Sequence, residues 1–170
     1  MVSTPVLNML HAAGHGVSFR LAISEQTFNL VGFAFIDDSD VIQQAPSHDC
    51  SAKETMAAAQ EGLDRFVGGM RVTGGDVRPD KSWTYLIEFQ WANGKWSYVE
   101  PSPDNGTLYV EDVDGDRHPI ERLGVSEGRK MLGVLLAPDG NNNDALASLK
   151  TTAREWADRV RSGHLRRSDA

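Results

Sequence analysis

The stretch Phe28-Asn29-Leu30-Val31-Gly32-Phe33-Ala34-Phe35-Ile36-Asp37-Asp38-Ser39-Asp40-Val41-Ile42 decides how the chain is read. Residues 28–36 form a nearly continuous apolar run, which suits a buried strand bounded by turn signals. An acidic cluster follows, and Val41-Ile42 resume the apolar pattern. Strand, tight acidic turn, strand is the simplest reading. Packing of the two strands would then hold Asp37 and Asp38 rigidly at the tip. Two anions this close raise each other's pKa unless a cation lies between them. Mg²⁺ resolves that conflict, because it takes oxygen ligands and is content with one or two carboxylates plus water and phosphate. Two such ions stabilise both the attacking and the leaving oxygen of an in-line phosphoryl displacement. The residues alone also allow a plainer reading, a solvated acidic turn at Asp37 to Asp40, since Asp bonds readily to its own backbone.

Working outward, residues 2–13 carry Val6, Leu7, Met9 and Leu10 and read as a short helix ended by Gly14 and Gly16. Residues 17–23 alternate as a half-buried strand does. Downstream, Ser51 with Glu54 three residues on is a capping-box pattern that starts a helix. Met56, Ala59, Leu63, Phe66, Val67 and Met70 then recur at helical spacing, and Gly68-Gly69 or Gly74-Gly75 end it. Residues 83–91 have strand composition. Asn93-Gly94 predicts a tight hairpin with 95–99 as the returning strand. A second hairpin is expected over 107–121, turning at Asp114-Gly115. Residues 131–136 read as another buried strand, and Pro138-Asp139-Gly140 as a turn. Asn142 or Asn143 caps a last helix, with Leu146, Leu149, Ala153, Trp156, Ala157 and Val160 on one face. The expected class is α+β, an antiparallel sheet covered by helices on one face.

The chain has 170 residues, enough for one domain or one with a small appendage. Its 40% apolar and 24% charged residues are ordinary for a globular protein. No apolar run approaches the ~20 residues that span a bilayer, and the start lacks the basic and apolar regions of a secretory signal. A single cysteine, Cys50, suits a reducing compartment, so an intracellular location is expected. The net charge of −7 weighs against a dedicated nucleic-acid binder. The C-terminal stretch is locally basic, with Lys150, Arg154, Arg159, Arg161, Arg166 and Arg167.

Other clusters carry less. Asp112, Asp114 and Asp116 suggest calcium, but the glycine is fourth where an EF-hand loop needs it sixth. His11, His15 and His48 lack paired zinc-ligand spacing. Cys50 near His48 has no evident orienting group for a nucleophile. Gly68-Gly69 and Gly74-Gly75 lack the lysine spacing of a phosphate loop.

Phe35-Ile36-Asp37-Asp38 followed by Ser39-Asp40-Val41-Ile42 resembles the Phe/Tyr-x-Asp-Asp motif of reverse transcriptases. Gly74-Gly75 through Pro79-Asp80-Lys81-Ser82 resembles the Gly…Asn-Pro-x-Lys-Ser/Thr segment that follows the motif helix in that family. Leu132-Gly133-Val134 resembles the Leu-Gly-Val of its primer-grip strand, and Ser3-Thr4-Pro5 the end of the segment upstream of the aspartates. The likeness runs along nearly the whole chain and is greatest to enzymes of non-long-terminal-repeat retrotransposons. It implies a partial palm over residues 1–137, with inserted hairpins near 83–121, and the start of a thumb helix over 138–170. It implies Asp37 and Asp38 as catalytic Mg²⁺ (or Mn²⁺) ligands, and Lys81 as a proton donor to the leaving pyrophosphate. Phe35 would pack beneath the metals, and Gly133 would admit the primer backbone. The implied partners are an RNA template, a DNA primer and deoxynucleotides. The chain departs from the family at Arg78, where Asn is common, and in its hairpins. It also lacks the family's upstream third aspartate, its fingers and its glutamine-glycine segment. An inactive piece of a nucleotidyltransferase is therefore expected, with self-association through exposed sheet. The alternative is a decayed retroelement remnant or a protein-interaction module.

Overall fold

Helix formation is strongest after Ser51, and the structure, a computed structural model, is organised around the helix that begins there. It describes residues 3–35, 38–131 and 133–163. Three helices and twelve short strands appear among them. They are α1 (Ser3–Ala12), β1 (Val17–Arg20), β2 (Thr27–Leu30), β3 (Gly32–Phe35), β4 (Asp38–Val41), α2 (Ala52–Val72), β5 (Trp83–Tyr85), β6 (Phe89–Ala92), β7 (Lys95–Tyr98), β8 (Tyr109–Glu111), β9 (Arg117–Pro119), β10 (Glu121–Leu123), β11 (Arg129–Met131), β12 (Val134–Leu136) and α3 (Asn143–Arg161). The mixed α+β class matches expectation. The chain forms two compact units, Met1–Leu123 and Gly124–Ala170. No described helix is long and apolar enough to cross a membrane.

In the first unit the capping box forms as expected. The Ser51 hydroxyl accepts from the Glu54 N–H, and the Glu54 carboxylate accepts from the Ser51 N–H at 2.8 Å. The Ser51 N–H, together with the Ser51 hydroxyl that also donates to the carboxylate at 2.7 Å, holds the Glu54 carboxyl below the usual range. The helix runs through Gly68-Gly69 and ends at Val72, with Thr73 capping it. Its apolar positions serve two clusters. Phe66 packs with Val6, Leu10 and Val31, while Met56 and Val67 pack with Leu108, Val110 and Ile120. Gln60 ties the helix to β8, donating to the Tyr109 carbonyl and accepting from its N–H, each at 2.8 Å.

The strands do not merge into the one antiparallel sheet that was expected. The described residues form six separate two-stranded sheets, five antiparallel and one, β5 with β10, parallel. Each expected long strand is interrupted. Residues 17–23 leave β1 after Arg20, where Glu25 adopts φ 58° and pairs with Arg20 at 3.2 Å. The 28–36 run divides at Val31 between β2 and β3. Residues 83–91 divide into β5 and β6. Both expected hairpins form. Asn93 and Gly94, at φ 53° and 75°, make the two-residue turn between β6 and β7. Such positive angles at both positions match the twist of the flanking strands.

In the second unit the expected buried strand over 131–136 is instead a hairpin, β11 with β12. Gly133 lies in its turn at φ 87°, and Val134 and Leu136 are more than half exposed. The Pro138-Asp139-Gly140 turn closes as expected, with the Gly140 N–H donating to the Ala137 carbonyl at 2.9 Å.

Truncating a fully buried side chain and a largely exposed one should separate core from surface. Leu10, 0% exposed, should cost ~2–5 kcal/mol as Leu10→Ala. Leu149, 66% exposed, should cost under about 0.5 kcal/mol as Leu149→Ala. Urea midpoints at unchanged slope would check both.

Candidate carboxylate hairpin

The site is built by β3 and β4, paired Gly32↔Val41, Phe33↔Asp40, Ala34↔Ser39 and Phe35↔Asp38. Side chains alternate across a strand, and directly opposed residues share a face. Phe33, Phe35, Asp38 and Asp40 therefore lie on one face, and Ala34, Ser39 and Val41 on the other. The first face is the open one: Phe33 and Phe35 are 47% and 58% exposed. Phe35 thus stands beside Asp38, partly solvated instead of packed in a core. Asp37 lies outside the described residues.

Asp40 belongs to this constellation, although the Phe-x-Asp-Asp pattern alone gives it no role. Burial pushes its carboxyl above the ordinary range, and the neighbouring Asp38 charge adds to the shift. The signal in the sequence is the spacing of Asp38 and Asp40 by two, which places both on one face of any strand. Two carboxylates on one face, the deeper of them desolvated, form an oxygen-only donor set. Such a set fits a hard divalent cation that keeps part of its water shell. No group of three or more His, Cys, Asp or Glu suited to a metal occurs among the described residues.

Gly32 makes the hairpin possible. Its φ is 154°, and a Cβ there would come within 2.0 Å of the Asp40 carbonyl oxygen. The chain on either side of Asp40 can pair so closely only because residue 32 has no side chain.

The opposite face of the hairpin meets α2. Ser39 and Val41 join Met56, Ala59, Leu63 and Phe66 around a cavity of about 190 Å³, and Ser82 and Trp83 complete another wall. The cavity is thus bordered by the face of the hairpin that lies opposite Asp38 and Asp40. Lys81 is exposed, its N–H donates to the Arg78 carbonyl at 3.1 Å, and Ser82 Oγ donates to the same carbonyl at 2.7 Å. Arg78 forms a two-pronged ion pair with Asp80 at 2.9 and 3.0 Å, which holds the Asp80 carboxyl low. Gly133 belongs to the other unit, and a Cβ there would meet nothing within 4 Å.

The remaining candidates are accounted for locally. Asp112 Oδ1 accepts from the Asp114 and Asp116 N–H groups, and Oδ2 lies 2.7 Å from His118 Nε2. That carboxylate is occupied in forming the turn. Cys50 Sγ lies 3.2 Å from Ser47 Oγ. No protein-family model, curated protein or solved structure matches the chain.

Two substitutions probe the hairpin. Gly32→Ala should cost more than about 2 kcal/mol, because backbone and not a flexible side chain blocks the new methyl. Circular dichroism melts would show it. Asp40→Asn should stabilise the metal-free protein at neutral pH. A raised carboxyl pKa means that folding favours the protonated form, so the ionised group opposes folding above that pKa. The gain should fade as pH falls through the acid range and wild-type Asp40 takes up its proton. Denaturation midpoints of both proteins across pH would test the sign.

Proposed function

We propose that the chain is the C-terminal palm and proximal thumb portion of an RNA-directed DNA polymerase of retrotransposon type. The observation that carries this reading is the β3–β4 register, which sets Asp38 opposite Phe35 on an open face and Asp40 beside it. Asp37 and Asp38 would hold Mg²⁺ or Mn²⁺, with Asp40 adding negative charge behind them. A bound metal supplies charge that stabilises the attacking and leaving oxygens of phosphoryl transfer. Lys81 would lie near the triphosphate of an incoming deoxynucleotide and protonate the leaving pyrophosphate. Phe35 would support the metal-binding tip, and Gly133 would leave room for the primer backbone. The arginines of α3 would face the phosphates of the template–primer duplex, in an intracellular setting.

Residues 1–34 contain Glu25 and no aspartate, so the third metal ligand that polymerisation requires is not among them. The isolated chain should bind metal without extending a primer. The same incompleteness would explain the exposure of Phe19, Phe28, Phe33 and Phe35, and it predicts self-association. A monodisperse monomer in sedimentation would count against that part.

Paramagnetic Mn²⁺ is the direct test. It should broaden the NMR signals of residues 38–41 first, and Asp38→Asn should weaken its binding by about tenfold or more. Broadening elsewhere, or equal in the variant, would overturn the proposal. A primer-extension assay with Mg²⁺ or Mn²⁺ should show no incorporation. Incorporation that Asp37→Ala abolishes would show that the chain acts unaided.

A further inference from the structure

The core of the first unit is divided, and the cavity of about 190 Å³ lies where its two apolar clusters fail to meet. Phe66 and Val41 line it from one cluster, and Met56, Leu108 and Ile120 from the other. All of its lining residues belong to the first unit. Ala59 and Gly62 of α2 border it with little or no side chain, so the helix does not fill the gap. Met56, Phe66, Leu108 and Ile120 are 5–7% exposed, whereas Ser39 is exposed and Trp83 is 38% exposed. The cavity therefore has a buried apolar floor and a mouth at Ser39 and Trp83. Close-packed interiors leave few voids larger than a water molecule, and ligand sites are concave, mostly apolar and furnished with a few polar groups.

Size, charge and hydrogen bonding together choose the occupant. An apolar cavity of ~150 Å³ takes up benzene, so this one has room for a fused pair of rings or a substituted phenol. Its lining holds no Asp, Glu, Lys, Arg or His among the described residues. An ionised ligand would lose its hydration there and gain no partner. The Thr55 hydroxyl donates to the Ser51 carbonyl at 3.2 Å, and the Ser82 hydroxyl to the Arg78 carbonyl at 2.7 Å. Both hydrogens are committed, and both oxygens remain as acceptors. Gln43 Nε2 donates to the Gln44 carbonyl at 3.0 Å, and its Oε1 lies 3.1 Å from His15 Nδ1. The site thus suits a ligand that brings one O–H or N–H. A fatty acid or a phosphate ester fails on charge, and a sugar would set its hydroxyls against the apolar floor. Met56 and Phe66 on that floor favour an aromatic ring, through sulfur and ring-edge contacts.

We propose that this cavity binds a small neutral aromatic molecule with a single hydrogen-bond donor, of the size and chemistry of indole or a phenol. The bound ring would join the two clusters into one continuous core. The proposal does not depend on the polymerase reading, because Asp38 and Asp40 lie on the other face of β3–β4.

Indole is the probe, and NMR of the full chain is the measurement. Indole should shift the backbone signals of Ala59, Leu63 and Leu108 and the Trp83 side-chain N–H saturably, and leave Gly128 and Gly140 in place. Ala59→Leu, which takes up part of the space, should weaken binding by about tenfold or more, with its urea midpoint reporting that the fold survives. Indene has the same rings without the N–H. The indole-to-indene affinity ratio should fall about fivefold in Thr55→Val or in Ser82→Ala, two variants that leave the cavity nearly unchanged in volume. The charged analogues indole-3-acetate and tryptamine should not compete. The proposal is overturned by no saturable shift up to the solubility of indole, by undiminished binding in folded Ala59→Leu, by a ratio unchanged in both hydroxyl variants, or by charged analogues binding as tightly as indole. A gain in stability in Ala59→Leu without indole binding to the wild type would mark the space as a packing void only. Shifts confined to Trp91 and Trp96 would put the probe on the open face of β6–β7 and equally overturn it.

Discussion

The first unit depends on one helix being buried along two sides at once. α2 is long enough, from Ala52 to Val72, to give Phe66 to a cluster with α1 and Val31, and Met56 and Val67 to a cluster with residues 108–120. Neither cluster is large, and Leu10 and Val110 are the largest of its nearly inaccessible side chains. Small apolar clusters contribute only a few kcal/mol each against the entropy of ordering the chain. The helix lets both draw on a single ordered element. Its N-terminus is secured by Ser51 and Glu54, and its middle by the Gln60 amide pairing with Tyr109. That last contact joins residues 49 apart, through a polar side chain that matches both backbone groups of one strand residue.

What could be read in advance follows the range of the forces involved. The capping box, the Asn93-Gly94 turn and the Pro138-Asp139-Gly140 turn are decided within a few residues, and each appears where its residues stand. The extent of strands is decided by partners distant in sequence. Nothing local in Trp83-Thr84-Tyr85 announces a parallel partner at Glu121–Leu123, yet that pairing ends the strand at Tyr85. Residues 131–136 look continuous because their side chains are apolar, but Gly133 at φ 87° turns the backbone there. Apolarity identifies residues that favour burial. It does not say whether the backbone between them runs straight.

The carboxylate hairpin was legible in kind and less so in detail. Residue types and spacing were enough to mark a strand–acid–strand unit. The division into an open face with Asp38 and Asp40 and an inner face with Ser39 and Val41 needs the register, since a slip by one would exchange the two sets. Gly32 fixes that register sterically, so a residue with no side chain decides where the charges point. The desolvation of Asp40 belongs to the packing around it and had no counterpart in the sequence.

Two exposed surfaces of the first unit carry opposite chemistry on the same kind of support. Each is a four-residue strand pair with one face open. On β3–β4 that face combines two phenylalanines with two carboxylates, and repulsion between the acids makes an added cation favourable. On β6–β7 it combines four rings with donors that have no partner among the described residues, and the hairpin gathers no positive charge beyond Lys95. A net charge of −7 therefore does not exclude ligands; its local distribution selects which ligands each face admits. Phosphate-bearing ligands would reach the first only through a bound metal, because the protein's own acids would otherwise repel them.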